Sequence, residues 1–262
     1  MKTIYGRLLT VENAKTVKGE KLGYLTGILY MTPARAPSID GANLCKYSTA
    51  GCRAGCLVTA GRGGFDSVAA GRARKRALWL QDPHGFILQL EKEIKALELR
   101  ARRAGLRAVV RLNGTTDIEW ETAAPGLFEK FPRVQFYDYT KDPRRAIGAP
   151  LTMGANAAPR IPRARNYDLT YSRAENRDAA AMGVLAAGGR VAVVFSTKRG
   201  RPLPRTWKGY PVKDGDRHDL RFLERAGVVG LRAKGKAKKD TSGFVVDAGA
   251  LEDPHAVRYA CN

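Results

Sequence analysis

The 262-residue chain carries 46 Lys and Arg against 25 Asp and Glu, a formal net charge of +21. An excess of that size goes far beyond what solubility requires and points to a polyanionic partner, with nucleic acid first. A hydrophobic content of 44% supports a sizeable core without disulfides, and no apolar run approaches the length of a membrane span, which predicts no membrane partner.

The opening MKTIYGRLLTVENAKTV has no apolar signal core, so unpaired thiols in a reducing compartment are expected. The first predicted strand is YLTGILYM from Tyr24. It leads into LCKYSTAGCRAGCLVTAG, where Cys45, Cys52 and Cys56 stand in C-x6-C-x3-C spacing within a glycine-bearing segment, about 43–62. Gly51 and Gly55 let such a loop curl until its sulfurs converge, as a soft metal or an iron–sulfur cluster requires. The donor types favour iron–sulfur, with 4Fe-4S the expected form. Zinc and ordinary buried thiols are the alternatives, because the spacing matches no standard template.

A helix is predicted over 65–80 and a second from the Asp82-Pro83 start, a good N-cap followed by a good first helical residue, to Gly105. Phe86, Ile87, Leu90, Ile94 and Leu97 form its apolar stripe. Further strands follow at RAVVRLN from Arg107, VQFYDY from Val134, YDLTYS from Tyr167, RVAVVFS from Arg190 and VVGLR from Val228. A helix from about Glu175 to Ala187 precedes the Gly188-Gly189 stop. The segment 150–165 reads as an exposed excursion and RHDLRFLERAG as a late helix. About six strands alternating with helices imply one α/β domain over 1–262 with a mostly parallel sheet, closed into a partial (β/α) barrel or open and doubly wound.

In such sheets functional groups gather at the carboxyl ends of strands. Those positions hold Asn113, Thr115 and Asp117; Asp138, Thr140 and Lys141; Ser172, Arg173 and Glu175; and Ser196, Thr197 and Lys198. Asn113, Thr115, Asp117, Asp138, Lys141, Ser172, Arg173, Ser196 and Lys198 are the predicted cofactor-binding set. Each also has a plain structural reading as a turn or cap residue. KDGDRHD offers Asp214, Asp216, His218 and Asp219 for metal or acid–base work, or as a capped turn. His84 and His255 are isolated. No residue is named as nucleophile or general base.

The basic residues fall in several runs. Arg72, Arg74, Lys75 and Arg76 lie in GRARKR, Arg160, Arg163 and Arg165 in PRIPRAR, and Lys198, Arg199, Arg201 and Arg205 in TKRGRPLPR. The C-terminal segment, about 228–262, adds Arg232, Lys234, Lys236, Lys238 and Lys239. The first three runs supply the predicted nucleic-acid contacts, and solvated charge is the alternative reading.

Taken together, NLCKYSTAGCRAGCLVTAGRG, RLNGTTDIEWE, FYDYTKDP, YDLTYSRAEN and DGDRHDLRFL resemble a bacteriophage family named after gene product 88. The resemblance spans most of the chain and implies a phage protein in the host cytoplasm, without implying a substrate. More widely, a three-cysteine loop after the first strand is similar to radical S-adenosylmethionine enzymes, which have a partial β/α barrel, a 4Fe-4S cluster and a bound S-adenosylmethionine. Their usual spacing is C-x3-C-x2-C, which this chain does not have. Cys261, next to the chain end, is expected as a fourth ligand, and a fourth thiolate would close the iron that those enzymes leave open. Two functions follow: an iron–sulfur enzyme modifying nucleic acid, or a non-catalytic nucleic-acid-binding protein pinned by a structural cluster or zinc.

Overall fold

The structure, a computed structural model, describes residues 6–11, 14–34, 42–148 and 164–249. Among the described residues, ten strands and eight α-helices follow one another. They begin with β1 (Leu9–Thr10), α1 (Ala14–Glu20), β2 (Tyr24–Leu29), α2 (Ala50–Ala54), α3 (Asp66–Gln81) and α4 (Pro83–Arg103). Then come β3 (Arg107–Arg111), α5 (Trp120–Ala123), α6 (Leu127–Lys130), β4 (Gln135–Thr140), α7 (Pro143–Ile147) and β5 (Tyr167–Ser172). The last third holds α8 (Asp178–Ala186), β6 (Arg190–Phe195), β7 (Thr206–Trp207), β8 (Tyr210–Asp214), β9 (Gly227–Arg232) and β10 (Val245–Val246).

The strands form one sheet in the order β1-β2-β3-β4-β5-β6-β9-β8-β7. Every pair from β2 through β8 is parallel, while β1 and β7 close the two edges antiparallel. β5 pairs with Val191 and Ala192 of β6, and β10 pairs with Val194 and Phe195, so β10 takes up the lane that β5 leaves. From β2 to β6 the spatial order equals the sequence order. A doubly wound sheet reverses at a switch point, and this run does not.

Helix α4 shows how local rules build the outer layer. The Asp82 carboxylate accepts from the Gly85 amide at 2.9 Å, Pro83 opens the first turn, and Gly105 ends the helix at φ +68. Phe86, Leu90, Ile94, Leu97 and Ala101 recur at helical spacing and are all buried. They share one apolar cluster with Val110, Leu112, Phe136 and Leu169 of the sheet. Alternation along each strand sends Val109 and Tyr137 to the opposite face, where they pack with Leu220.

That opposite face is covered by the chain between β8 and β9. The stretch predicted as the helix RHDLRFLERAG is instead irregular, with a single 3-10 turn over Arg221–Leu223 before β9 begins at Gly227. Its side chains lock onto the sheet: Phe222 meets Tyr24 and Tyr137 edge-on or tilted, Asp219 pairs with Arg111 at 2.7 Å, and Arg221 donates to Tyr139 Oη at 2.8 Å. Bonds to strand side chains replace the internal bonds a helix would have made.

The six expected strands are all present, and β1, β7, β8 and β10 are additional. The helix expected from Glu175 begins at Asp178, because Glu175 is drawn to the cysteine segment. The 150–165 excursion lies almost wholly outside the described residues.

Candidate functional site

The cysteine segment runs from β2 to α3 and is fastened to the carboxyl end of β5. Thr49 caps α2, accepting from the Cys52 amide at 3.4 Å. The Glu175 carboxylate accepts from Thr49 Oγ1 and from the Gly51 amide, each at 2.6 Å. Burial works against its charge, but these two bonds outweigh it and hold Glu175 below the ordinary glutamate range. Gly51 must be glycine, since a Cβ there would overlap Ser242 Oγ and lie 3.0 Å from the Glu175 carboxyl. At Gly55 a Cβ would stand 3.1 Å from that of Ala237.

Cys45, Cys52 and Cys56 are free and partly exposed. The Cys45 thiol donates to the Thr115 carbonyl at 3.7 Å. Burial pushes its pKa up to about 12, with Asp117, Cys56 and Cys52 adding to the rise. Cys56 is also raised, first by burial and then by Cys52, against the pull of Arg72 and Lys141. Lys141 is lowered by burial and partly restored by Cys52, Asp117 and Glu175. The three sulfurs therefore share one electrostatic neighbourhood with Lys141. As they stand, no three His, Cys, Asp or Glu side chains among the described residues are grouped closely enough to hold a metal ion.

The rim around the thiols is built from three strand ends. The Asp117 amide donates to the Leu44 carbonyl at 2.8 Å, and its carboxylate accepts from the Lys141 amide and from Arg145. Lys141 Nζ donates to the carbonyl and hydroxyl of Ser172 and to the Arg173 carbonyl, at 2.8–2.9 Å. Arg173 reaches onward to Asp178 and to the carbonyls of Gly243 and Phe244. Of the predicted cofactor-binding set, Asp117, Lys141, Ser172 and Arg173 thus gather beside the cysteine segment.

The others are placed elsewhere, apart from Thr115, whose carbonyl accepts from the Cys45 thiol. Asn113 is an internal brace: its amide oxygen accepts from Thr116, the Ile118 amide and Trp120, and its Nδ2 donates to the Ile118 carbonyl. Asp138 lies beneath it, accepting from the Asn113 amide at 2.6 Å and from Tyr167 at 3.0 Å. Burial pushes its pKa up to about 7 against Arg111 and those bonds. Thr115 donates to the Met31 carbonyl. Ser196 and Lys198 line a separate cleft at the end of β6. Cys261 and His255 lie outside the described residues, and His84 is exposed on α4.

The basic runs divide in the same way. Arg72, Lys75 and Arg76 turn inward to the carbonyls of Gly63, Leu8 and Thr32 with Pro33, leaving Arg74 as the exposed cation of GRARKR. Arg165, Lys198, Arg199 and Arg201 are exposed, while Arg160 and Arg163 lie outside the described residues. In KDGDRHD the carboxylates face cations: Asp214 and Asp216 hold Arg232, Asp216 also holds Lys234, and Asp219 holds Arg111. This segment is a turn braced by ion pairs, without the helix that its alternative reading had it cap. Sequence reasoning missed Arg145, which is fully buried between Asp117 and Glu121 and aligns the rim from below. Its only sequence signal is an arginine one turn after the Asp142-Pro143 helix start.

A largely parallel α/β sheet with a thiol-bearing segment fastened over its carboxyl rim defines the class of protein. The gene product 88 family model matches residues 7–248, and the chain belongs to that bacteriophage family. Comparison with curated proteins and with solved structures gives no match. The wider resemblance to radical S-adenosylmethionine enzymes finds no support there.

Proposed function

We propose that this protein is an iron–sulfur protein that binds nucleic acid, with Cys45, Cys52 and Cys56 as cluster ligands. The observation that carries the reading is the shared neighbourhood of the three thiols, whose ionisations bear on one another and on Lys141. The donor types suit a soft centre, three sulfurs from one segment, with the cations of Lys141 and Arg72 opposing the burial that keeps Cys56 protonated. Cys45 holds its proton most tightly, so ligation must release that proton and turn the side chain from Thr115. A bound cluster would supply electron transfer or an open iron for a ligand. The chain's own part is to hold the segment through Glu175 and to balance its charge through Lys141. A partial barrel accords with the unreversed order from β2 to β6. The exposed cations Arg199, Arg201, Lys236 and Lys239 suit phosphate contact.

Anaerobic isolation with iron, sulfide and zinc analysis tests the centre. Iron with sulfide is expected, lost on Cys45→Ala, Cys52→Ala or Cys56→Ala, and stoichiometric zinc without sulfide overturns it. Nucleic-acid affinity should fall steeply as salt rises, and absence of binding to DNA and RNA at low ionic strength removes that half of the reading. Cys261→Ala separates the two functions. Loss of cluster stability marks a closed, structural site, and an unchanged cluster that responds to S-adenosylmethionine marks an open, reactive one.

A further inference from the structure

The carboxyl ends of β6 and β9 border a cleft of about 1060 Å³, with Lys18, Lys198, Arg199, Arg232, Lys234 and Lys238 in its wall. Three carboxylates share the wall, and each already has partners. Asp216 accepts from Arg232 and Lys234, Asp240 from Ser242 and the Val245 amide, and Asp247 from Ser196 and the Gly249 amide. Lys18 donates to the Asp216 carbonyl at 2.7 Å. Lys198, Arg199 and Lys238 are left without an ion pair among the described residues.

A second observation points to a ligand. Thr197 lines the same cleft, and its hydroxyl is buried with no hydrogen-bond partner among the described residues. Such a group destabilises the fold unless something accepts from it, and the described residues supply no acceptor. The volume is of the order that takes small molecules, and the position, outside the carboxyl ends of parallel strands, is where open α/β sheets bind them. The 3-10 turn Gly235–Lys239 sets Ala237 against Gly55 on one side and presents Lys238 to the cleft on the other.

We propose that this cleft binds the 5′-phosphate of a nucleotide, with Lys198, Arg199 and Lys238 pairing its oxygens and the Thr197 hydroxyl donating to it. The site stands whether or not the thiols hold a cluster. A free nucleotide and the end of a nucleic-acid strand present the same group.

Calorimetric titration at low salt with AMP, GMP, CMP and UMP, with their nucleosides, and with an oligonucleotide with and without a 5′-phosphate tests the proposal. At least one nucleotide should bind while its nucleoside does not. Lys198→Ala with Arg199→Ala should weaken it at least about tenfold, the size of a lost charged hydrogen bond. Lys92→Ala, an exposed lysine on α4, should leave it unchanged. Tighter binding of the phosphorylated oligonucleotide assigns the strand end, and tighter binding of the mononucleotide assigns the free ligand. Equal binding of nucleotide and nucleoside overturns the proposal, as does no binding at millimolar nucleotide or equal weakening by Lys92→Ala. Metal content measured on the same samples keeps this result separate from the fate of the cluster.

Discussion

On the helix-covered face of the sheet, Leu90, Ile94 and Leu97 share an apolar cluster with Val110 and Phe136. On the opposite face, Arg111, Tyr137 and Tyr139 are covered by Asp219, Arg221 and Phe222 from the stretch between β8 and β9. The first face is held by non-directional burial, which tolerates changes that keep volume. The second is held by paired charges and oriented hydroxyls, where removing one partner leaves the other unsatisfied. The two faces should therefore respond differently to the same kind of deletion.

The largest effect is expected at Asp219. Asp219→Ala strands the buried Arg111 and should cost about 3–5 kcal/mol in urea unfolding. Arg111→Met with Asp219→Leu should recover most of that loss, and equal losses in the single and double variants would erase the contrast. Leu90→Ala, on the apolar face, should cost about 2–5 kcal/mol through the cavity it leaves. There a Leu90→Met exchange should stay under about 1.5 kcal/mol.

Asp138 sharpens the comparison through pH. Its native pKa of about 7 lies above the ordinary 3.8, so between these values the native state holds a proton that the unfolded state has released. Stability from this group is therefore greatest in acid and falls as pH rises toward 7. Asp138→Asn should flatten that fall in unfolding curves taken across the range, and an unchanged slope would assign it to other groups. Glu175 has the opposite sign. Its depressed pKa adds stability above the ordinary carboxylate range that is lost as pH falls through the native value.

Among the deletions of a polar partner the smaller effect is expected for Glu175→Gln, which weakens the charged cap on Thr49 and Gly51. It should cost about 1.5–3 kcal/mol at most and speed alkylation of Cys45 and Cys56, read by mass spectrometry. If alkylation is unchanged, the cap does not govern access to the thiols.

By itself the sequence determined the β-loop-α alternation, the extent of α4 from Asp82 to Gly105, and the gathering of Asp117, Lys141, Ser172 and Arg173 at strand ends. These follow from apolar period, capping chemistry and the geometry of parallel strands, all local or repeating signals. The thiol spacing was equally legible, while the partner that fixes the segment, Glu175, stands more than a hundred residues away and has no local signature. Tertiary structure alone decided that RHDLRFLERAG would be irregular and not helical. Its helical pattern lost to Arg111, Tyr137 and Tyr139, whose polar groups had to be paired once buried. It alone also turned Arg72, Lys75 and Arg76 inward while leaving Lys198 and Arg199 without an ion pair among the described residues, beside a cleft. A run of charge in sequence carries no record of which carbonyls and carboxylates the fold will bring to it.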